Sequence, residues 1–317
     1  MKKTKIGIIG IGNVGAHVLY TLALQGLAQE FVLIDIDEKK AGADLQDVFD
    51  CAMYLPHPVH MSVGTFSDLK DCDIIVYSVG KIDLLRQGHN RLTELNFNIP
   101  AAIENARKIK ESGFSGILIN ISNPCDIVTR ELANRLELPK GHVFGTGTGL
   151  DTARLVASLS KRTGIDAKSI TAYMLGEHGN DQFTPWSCVS FHGRPLADWA
   201  KTDARFRFDL QEAEHAAVEG GWKVYYGKFR TEYAIAMTAA RAVHAVLFDE
   251  NRILPVSFEL DGEYGESGIF AGVPAIVGQK GVKQVVELPL REEEKERFHV
   301  CCEGIRRNIG YAQELYS

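Results

Sequence analysis

The sequence predicts an α/β fold: a doubly wound parallel sheet in the first half, then an α+β domain with antiparallel strands. Three observations point there. The first half alternates apolar runs with amphipathic segments. A Gly10-x-Gly12-x-x-Gly15 turn follows the first apolar run. After about residue 145 the alternation gives way to short β-like segments, a long helical stretch and three apolar runs with glycine-rich turns.

Residues 6–9 are an apolar run suited to a buried parallel strand, and residues 14–27 are amphipathic at helical spacing. A second run, 31–34, ends in Asp35. Similar runs at 73–79 and 116–122, and a shorter one at 142–144, read as further parallel strands, with a helical pattern at 92–110 between them. Residues 56–65 read as an extended join between the halves of the sheet. In the second half, 169–174 and 187–191 look β-like, and 225–248 reads as one long helix. Residues 254–260, 269–277 and 282–287 read as an antiparallel meander. A closing helix starts near Arg291, with Phe298, Cys302, Ile305, Ile309, Ala312 and Leu315 on one face. The expected domains are 1–145 and 146–317. No repeat or low-complexity linker separates them, so firm packing is expected.

The glycine turn has a specific chemistry. Gly10 lets the chain turn sharply out of the strand, Gly12 lets backbone N–H groups approach a pyrophosphate, and Gly15 lets the helix pack on the strands. Asn13 and Val14 open the helix, with Asn13 at the expected cap, and a helix N-terminus favours an anion. Asp35 lies twenty residues beyond Gly15. A carboxylate there accepts hydrogen bonds from a ribose diol and repels a 2′-phosphate, so the expected cofactor is NAD rather than NADP. The sheet is therefore of the Rossmann type. A parallel sheet whose glycines merely make a turn is the plainer alternative.

The chain has 317 residues, 45% apolar and 24% charged, as expected of a soluble globular protein with a sizeable core. A net charge of −6 without a basic cluster argues against nucleic acid as a partner. No stretch reads as a membrane span or an export signal. Six scattered cysteines with no C-x-x-C pair read as buried, reduced thiols of a cytoplasmic protein. No cluster has metal-ligand spacing, so no metal is expected.

Two later stretches carry unusual chemistry. A glycine-rich approach, 145–149, leads into Asp151-Thr-Ala-Arg154, whose Asp151 and Arg154 share a helix face. A surface salt bridge would use the same spacing. His178, between Gly176-Glu177 and Gly179-Asn180, sits in a loop that can set it against a ligand; a functionless loop histidine is the alternative.

Together with Ser122-Asn123-Pro124-Cys125-Asp126 and Gly262-Glu263-Tyr264-Gly265, these motifs resemble the L-lactate/malate dehydrogenase superfamily over essentially the whole chain. Within it the chain is most similar to the L-2-hydroxyisocaproate dehydrogenases, L-lactate dehydrogenase relatives that act on larger 2-oxo acids. Typical lactate dehydrogenases have an acid where Asn180 stands. The resemblance implies an NAD-dependent L-2-hydroxyacid dehydrogenase. His178 would move the proton, with Asp151 holding its ring. Arg154 would clamp the substrate carboxylate, and Arg91 would polarise the carbonyl when its loop closes. Asn123 would bond the same region and the nicotinamide ribose. Thr231 would line the substrate pocket, and Ile235 would back the nicotinamide, with Gly80 also at the cofactor.

Substrate choice would rest on the loop after Gly80. Counting back from Arg91 puts Leu85 at the discriminating position, and counting forward from Gly80 puts Asp83 there. Leu84 and Leu85 favour an apolar side chain of the 2-oxo-isocaproate type, or pyruvate. Arg86, one step away, keeps malate dehydrogenase open. A non-catalytic NAD(H)-binding sensor is the reading from another class. Two positions that bind fructose 1,6-bisphosphate in many bacterial relatives hold Val156 and Thr171 here, so no activation by that sugar phosphate is expected. Relatives form homodimers or homotetramers.

Overall fold

The computed structural model describes residues 3–81, 92–179 and 181–316. The first half contains β1 (Lys5–Ile9), α1 (Asn13–Leu24), β2 (Glu30–Ile34), α2 (Glu38–Phe49), β3 (His60–Val63), β4 (Ile74–Tyr77), α3 (Leu92–Ser112), β5 (Ile117–Asn120), α4 (Cys125–Leu136) and β6 (Val143–Gly145). Its strands lie in the order β3-β2-β1-β4-β5-β6, all parallel. This is the Rossmann-type sheet expected from the alternation. Its strands are nearly continuous apolar runs because helices cover both faces. The order reverses between β1 and β4, so a crevice opens at the carboxyl ends of those strands.

The second half contains α5 (Gly149–Thr163), β7 (Ile170–Thr171), β8 (Ser190–Phe191), β9 (Arg194–Pro195), α6 (Leu196–Thr202), α7 (Leu210–Lys228), α8 (Tyr233–Leu247), β10 (Arg252–Asp261), β11 (Ser267–Gly278), β12 (Gly281–Val285) and α9 (Glu292–Tyr316). The predicted meander is β10–β12, antiparallel throughout. β10 also pairs antiparallel with β6 at Ser257 and Gly145. Among the described residues this makes one nine-stranded sheet that runs across residue 145.

Four expectations need correction. The helix read at 225–248 is two helices. Phe229 takes a left-handed φ of 58°, and the chain turns through 229–232. Apolar periodicity persists across such a break, because both helices bury a face on the same core. The β-like segment at 169–174 shrinks to Ile170–Thr171. Gly12, not Asn13, is the N-cap of α1. Cys51 and Cys188 are only half-buried, while all six thiols are free. On α9, Phe298, Cys302, Ile305 and Ala312 are buried on one face as expected.

Candidate functional site

The nucleotide turn divides its glycines by purpose. Gly10 has φ +90°, and a Cβ there would lie 2.6 Å from the Ser78 carbonyl oxygen. A Cβ on Gly15 would lie 2.0 Å from the Gly10 oxygen, where α1 leaves β1. A Cβ on Gly12 would meet nothing within 4 Å. The fold needs the first two glycines. It has no use for the third, which faces open space above the α1 N-terminus. No side chain caps that terminus. An N-terminus with open backbone and no side-chain competitor fits a pyrophosphate. Asp35 is pinned at the tip of β2. It accepts from the Ile11 N–H at 2.5 Å and the Asp37 N–H at 2.9 Å, which aims its carboxylate across the turn. Val14 packs half-buried beside the turn, and Asn13 is exposed. Gly80, exposed at the end of β4, faces Asn98 of α3. These residues fit an NAD dinucleotide.

The second candidate region, around His178, is assembled from distant segments. Asp151 lies in the first turn of α5, its side chain 1% exposed. Its Oδ2 meets His178 Nδ1 at 2.5 Å, and its Oδ1 accepts from Arg154 Nη1 at 3.0 Å. One buried carboxylate thus orients both side chains. An ionised Asp151 requires hydrogen on Nδ1, which fixes the tautomer. The helical spacing of Asp151 and Arg154 does give an ion pair, but it lies in a cavity wall and not on the surface.

His178 owes its position to a tight loop. Leu175 and Phe183 exchange backbone hydrogen bonds at its base, and Gly176, at φ +94°, pairs with Gly272 of β11. The His178 N–H donates to Asp126 Oδ2 at 3.0 Å, and Ser257 Oγ donates to Asp126 Oδ1 at 2.5 Å. Asp126 sits fully buried at the start of α4. Burial pushes its carboxyl up to about 6, opposed by the Ser257 and His178 hydrogen bonds and reinforced by nearby Glu177. Sequence reading passed over Asp126. Its place in the 122–126 motif was visible, but its contact with His178, 52 positions away, was not.

His178, Asp151 and Arg154 line a cavity of about 90 Å³ with Asn123, Leu150, Gln182, Val218, Trp222, Tyr225 and Thr231. The structure thus brings together five of the predicted site residues. The Asn123 carbonyl accepts from Asn98 Nδ2 at 2.5 Å, which holds its loop to α3. Thr231 lies in the turn between α7 and α8. The next residue, Glu232, is buried and ties that turn down through Lys228 at 2.8 Å and Arg230 at 2.9 Å. Ile235 packs half-buried against the core that also holds Ile11. Arg154 lies along α7, where a Cβ on Gly221 would stand 3.0 Å from Nη1. The Gly220-Gly221 pair inside a helix weakens it by roughly 1 kcal/mol per residue relative to alanine. That mismatch was the available signal that α7 lines the site.

Arg91, Leu85 and Arg86 lie outside the described residues, as do Asp83, Leu84 and Asn180. Val156 and Thr171 line one open groove with Lys168, Arg241 and Arg252, so the cations of that groove stand at other positions. Among the described residues no helix is long and apolar enough to cross a membrane, and no cluster of three or more His, Cys, Asp or Glu could hold a metal.

Comparison with known proteins agrees with this geometry. Residues 4–145 match the family model for the lactate/malate dehydrogenase NAD-binding domain, and residues 148–315 match the model for its alpha/beta C-terminal domain. The chain is 40% identical to an L-lactate dehydrogenase of Fusobacterium nucleatum over 311 residues, 98% of this chain and 97% of the relative. It is 36% identical to L-lactate dehydrogenase 2 of Listeria monocytogenes, covering 98% and 99%. Its fold matches the crystal structure of the minor L-lactate dehydrogenase from Enterococcus mundtii in the ligands-bound form. There the TM-score is 0.93 at 32% identity, covering 97% of this chain and 98% of that one. The chain belongs to the lactate/malate dehydrogenase family and is an NAD-dependent oxidoreductase.

Proposed function

We propose that the protein is an L-2-hydroxyacid dehydrogenase that reduces a short 2-oxo acid, pyruvate first, and runs reversibly. The carrying observation is the His178–Asp151–Arg154 constellation on a cavity of about 90 Å³. The relatives named L-lactate dehydrogenase support the same reading.

NADH, when bound, supplies hydride from nicotinamide C4 to substrate C2. The chain's own residues do the rest. Asp151 holds His178 through Nδ1, so that Nε2 delivers the proton to the carbonyl oxygen and retrieves it in reverse. Arg154 clamps the carboxylate through its planar fork, which sets the carbonyl face presented to the cofactor. Arg91 polarises the carbonyl. Asn123 and Thr231 complete the polar wall, and Ile235 backs the nicotinamide with an apolar surface. Gly10, Gly12, Asn13, Val14, Gly15 and Gly80 form the dinucleotide cradle, and Asp35 reads the ribose. Leu85 or Arg86 meets the substrate's side chain. The domain division at 145/146, with the substrate domain following, belongs to this reading.

A branched 2-oxo acid of the isocaproate type is the second reading, favoured by the apolar walls Leu150, Val218 and Trp222. Malate chemistry needs Arg86 to face the substrate. Exposed Tyr20 and Leu24 of α1 and Tyr233 and Met237 of α8 favour a homo-oligomer, and six free thiols favour the cytoplasm.

Initial rates with NADH across pyruvate, oxaloacetate, 2-oxo-isocaproate and phenylpyruvate, with and without fructose 1,6-bisphosphate, test all of this. Pyruvate is expected to lead on kcat/KM, with no activation by the sugar phosphate. Oxaloacetate leading would transfer the assignment to malate dehydrogenase. No rate with any oxo acid would leave the sensor.

A further inference from the structure

Two residues that line the reaction cavity carry a polar atom with no assigned work. Among the described residues, four buried side-chain polar atoms lack a hydrogen-bond partner, and two of them, Tyr225 Oη and Gln182 Oε1, belong to residues lining this one cavity. Tyr225 is 8% exposed and Gln182 5%. Neither side chain is loosely placed. The Tyr225 ring stands edge-on to Trp222 at 6.0 Å and to Phe229 at 6.3 Å. Gln182 Nε2 donates to the Gly179 carbonyl at 2.7 Å, which directs Oε1 away from that carbonyl. A buried polar atom left unpaired costs about 1–3 kcal/mol. Phenylalanine at 225 would keep the ring packing without that cost. Native structures tolerate such atoms where a ligand completes them.

We infer that Tyr225 and Gln182 read a hydroxyl group on the side chain of the substrate, so that the enzyme favours hydroxylated short 2-oxo acids over their alkyl isosteres. The inference rests on the 2-oxo acid reading above. Gln182 Oε1 can only accept, and the phenol can donate. A hydroxyl that donates to the first and accepts from the second satisfies both, whereas a methyl group leaves both bare. The reaction is unchanged: C2 receives hydride from NADH and a proton from His178, giving the L-2-hydroxy acid and NAD, and the side-chain hydroxyl is untouched. Sites built to bond a hydroxyl discriminate strongly against the analogue that lacks it.

The test compares two isosteric pairs in the full-length enzyme with NADH. They are 3-hydroxypyruvate against 2-oxobutyrate, and 4-hydroxy-2-oxobutyrate against 2-oxopentanoate. The hydroxyl member of at least one pair should lead by about tenfold or more in kcat/KM. Tyr225→Phe and Gln182→Met should each reduce that ratio by about tenfold, one lost hydrogen bond each. The melting temperature of ligand-free Tyr225→Phe should equal or exceed that of the parent, because the unpaired atom is gone. Hydroxyl-to-alkyl ratios at or below one in both pairs, or ratios unmoved by both variants, overturn the inference and leave the dehydrogenase reading intact. Absence of turnover with all four acids and with pyruvate defeats that reading itself.

Discussion

The nucleotide turn and the His178 cavity are built by opposite means. Gly10, Gly12, Gly15 and Asp35 lie within a single strand–helix–strand unit, and backbone shape is their chemistry. The reaction centre draws Asn123, Asp151, Arg154, His178, Tyr225 and Thr231 from segments far apart in the chain, and side-chain atoms are its chemistry. At the first the damaging change is an added carbon. At the second it is a removed functional atom in a fold that survives.

The largest effect expected is at His178. Replacing it with Asn should lower kcat by about 10²–10⁴-fold, the usual worth of a positioned proton donor. NADH affinity, read by fluorescence titration, should hold within about twofold, because the glycine turn is far along the chain. Retained turnover would remove His178 from its role.

The turn itself offers a sharper contrast. Gly15→Ala forces a Cβ into the Gly10 carbonyl oxygen and should destabilise by about 3 kcal/mol or more, lowering the melting temperature by roughly 5–10 °C. Gly12→Ala should leave melting within about 2 °C, since a Cβ there meets no protein atom, while NADH binding weakens by about tenfold or more. Equal melting losses in the two variants would erase the division between fold glycines and ligand glycine.

Asp126 links the two styles, since it acts on His178 through backbone. Asn at 126 offers one acceptor where Ser257 Oγ and the His178 N–H both donate, so kcat/KM should fall by about tenfold. The pH dependence has a defined sign. Burial raises this carboxyl from 3.8 to about 6, so its contribution to stability is complete below about pH 4 and is lost as pH rises through about 6. Melting curves should show Asp126→Asn gaining on the parent across that window. A constant difference between pH 4 and 7 would count against the buried charge.

Much of the fold was legible in the sequence, because buried parallel strands are continuous apolar runs with helices between them. The misreadings have physical causes. The α7–α8 break hides because the chain turns within the four residues 229–232, starting at Phe229, while both flanking helices keep an apolar face. The half-exposure of Cys51 and Cys188 depends on what packs over them. At the site, Asp151, Arg154 and His178 were visible as motifs, and their resemblance to a family suggested roles. Asp126 stood in a visible motif, but its contact with the histidine loop, 52 positions away, had no sequence signal. Gln182 and Tyr225 had none of their own, because an amide in a loop and an aromatic ring inside a helix look like ordinary loop or core residues.

The sequence by itself determined the parallel sheet, the glycine turn and the residue types available for proton transfer and carboxylate binding. Local backbone geometry, continuous apolar runs and helical patterning decide those, and all can be read along the chain. Only the tertiary structure decided that one Asp151 carboxylate serves both His178 and Arg154. It also decided that Asp126 and Ser257 hold the histidine loop, and that Tyr225 and Gln182, which line the same cavity as His178, leave polar atoms unpaired. Those facts depend on which distant side chains share a desolvated space, and no spacing along the chain encodes that.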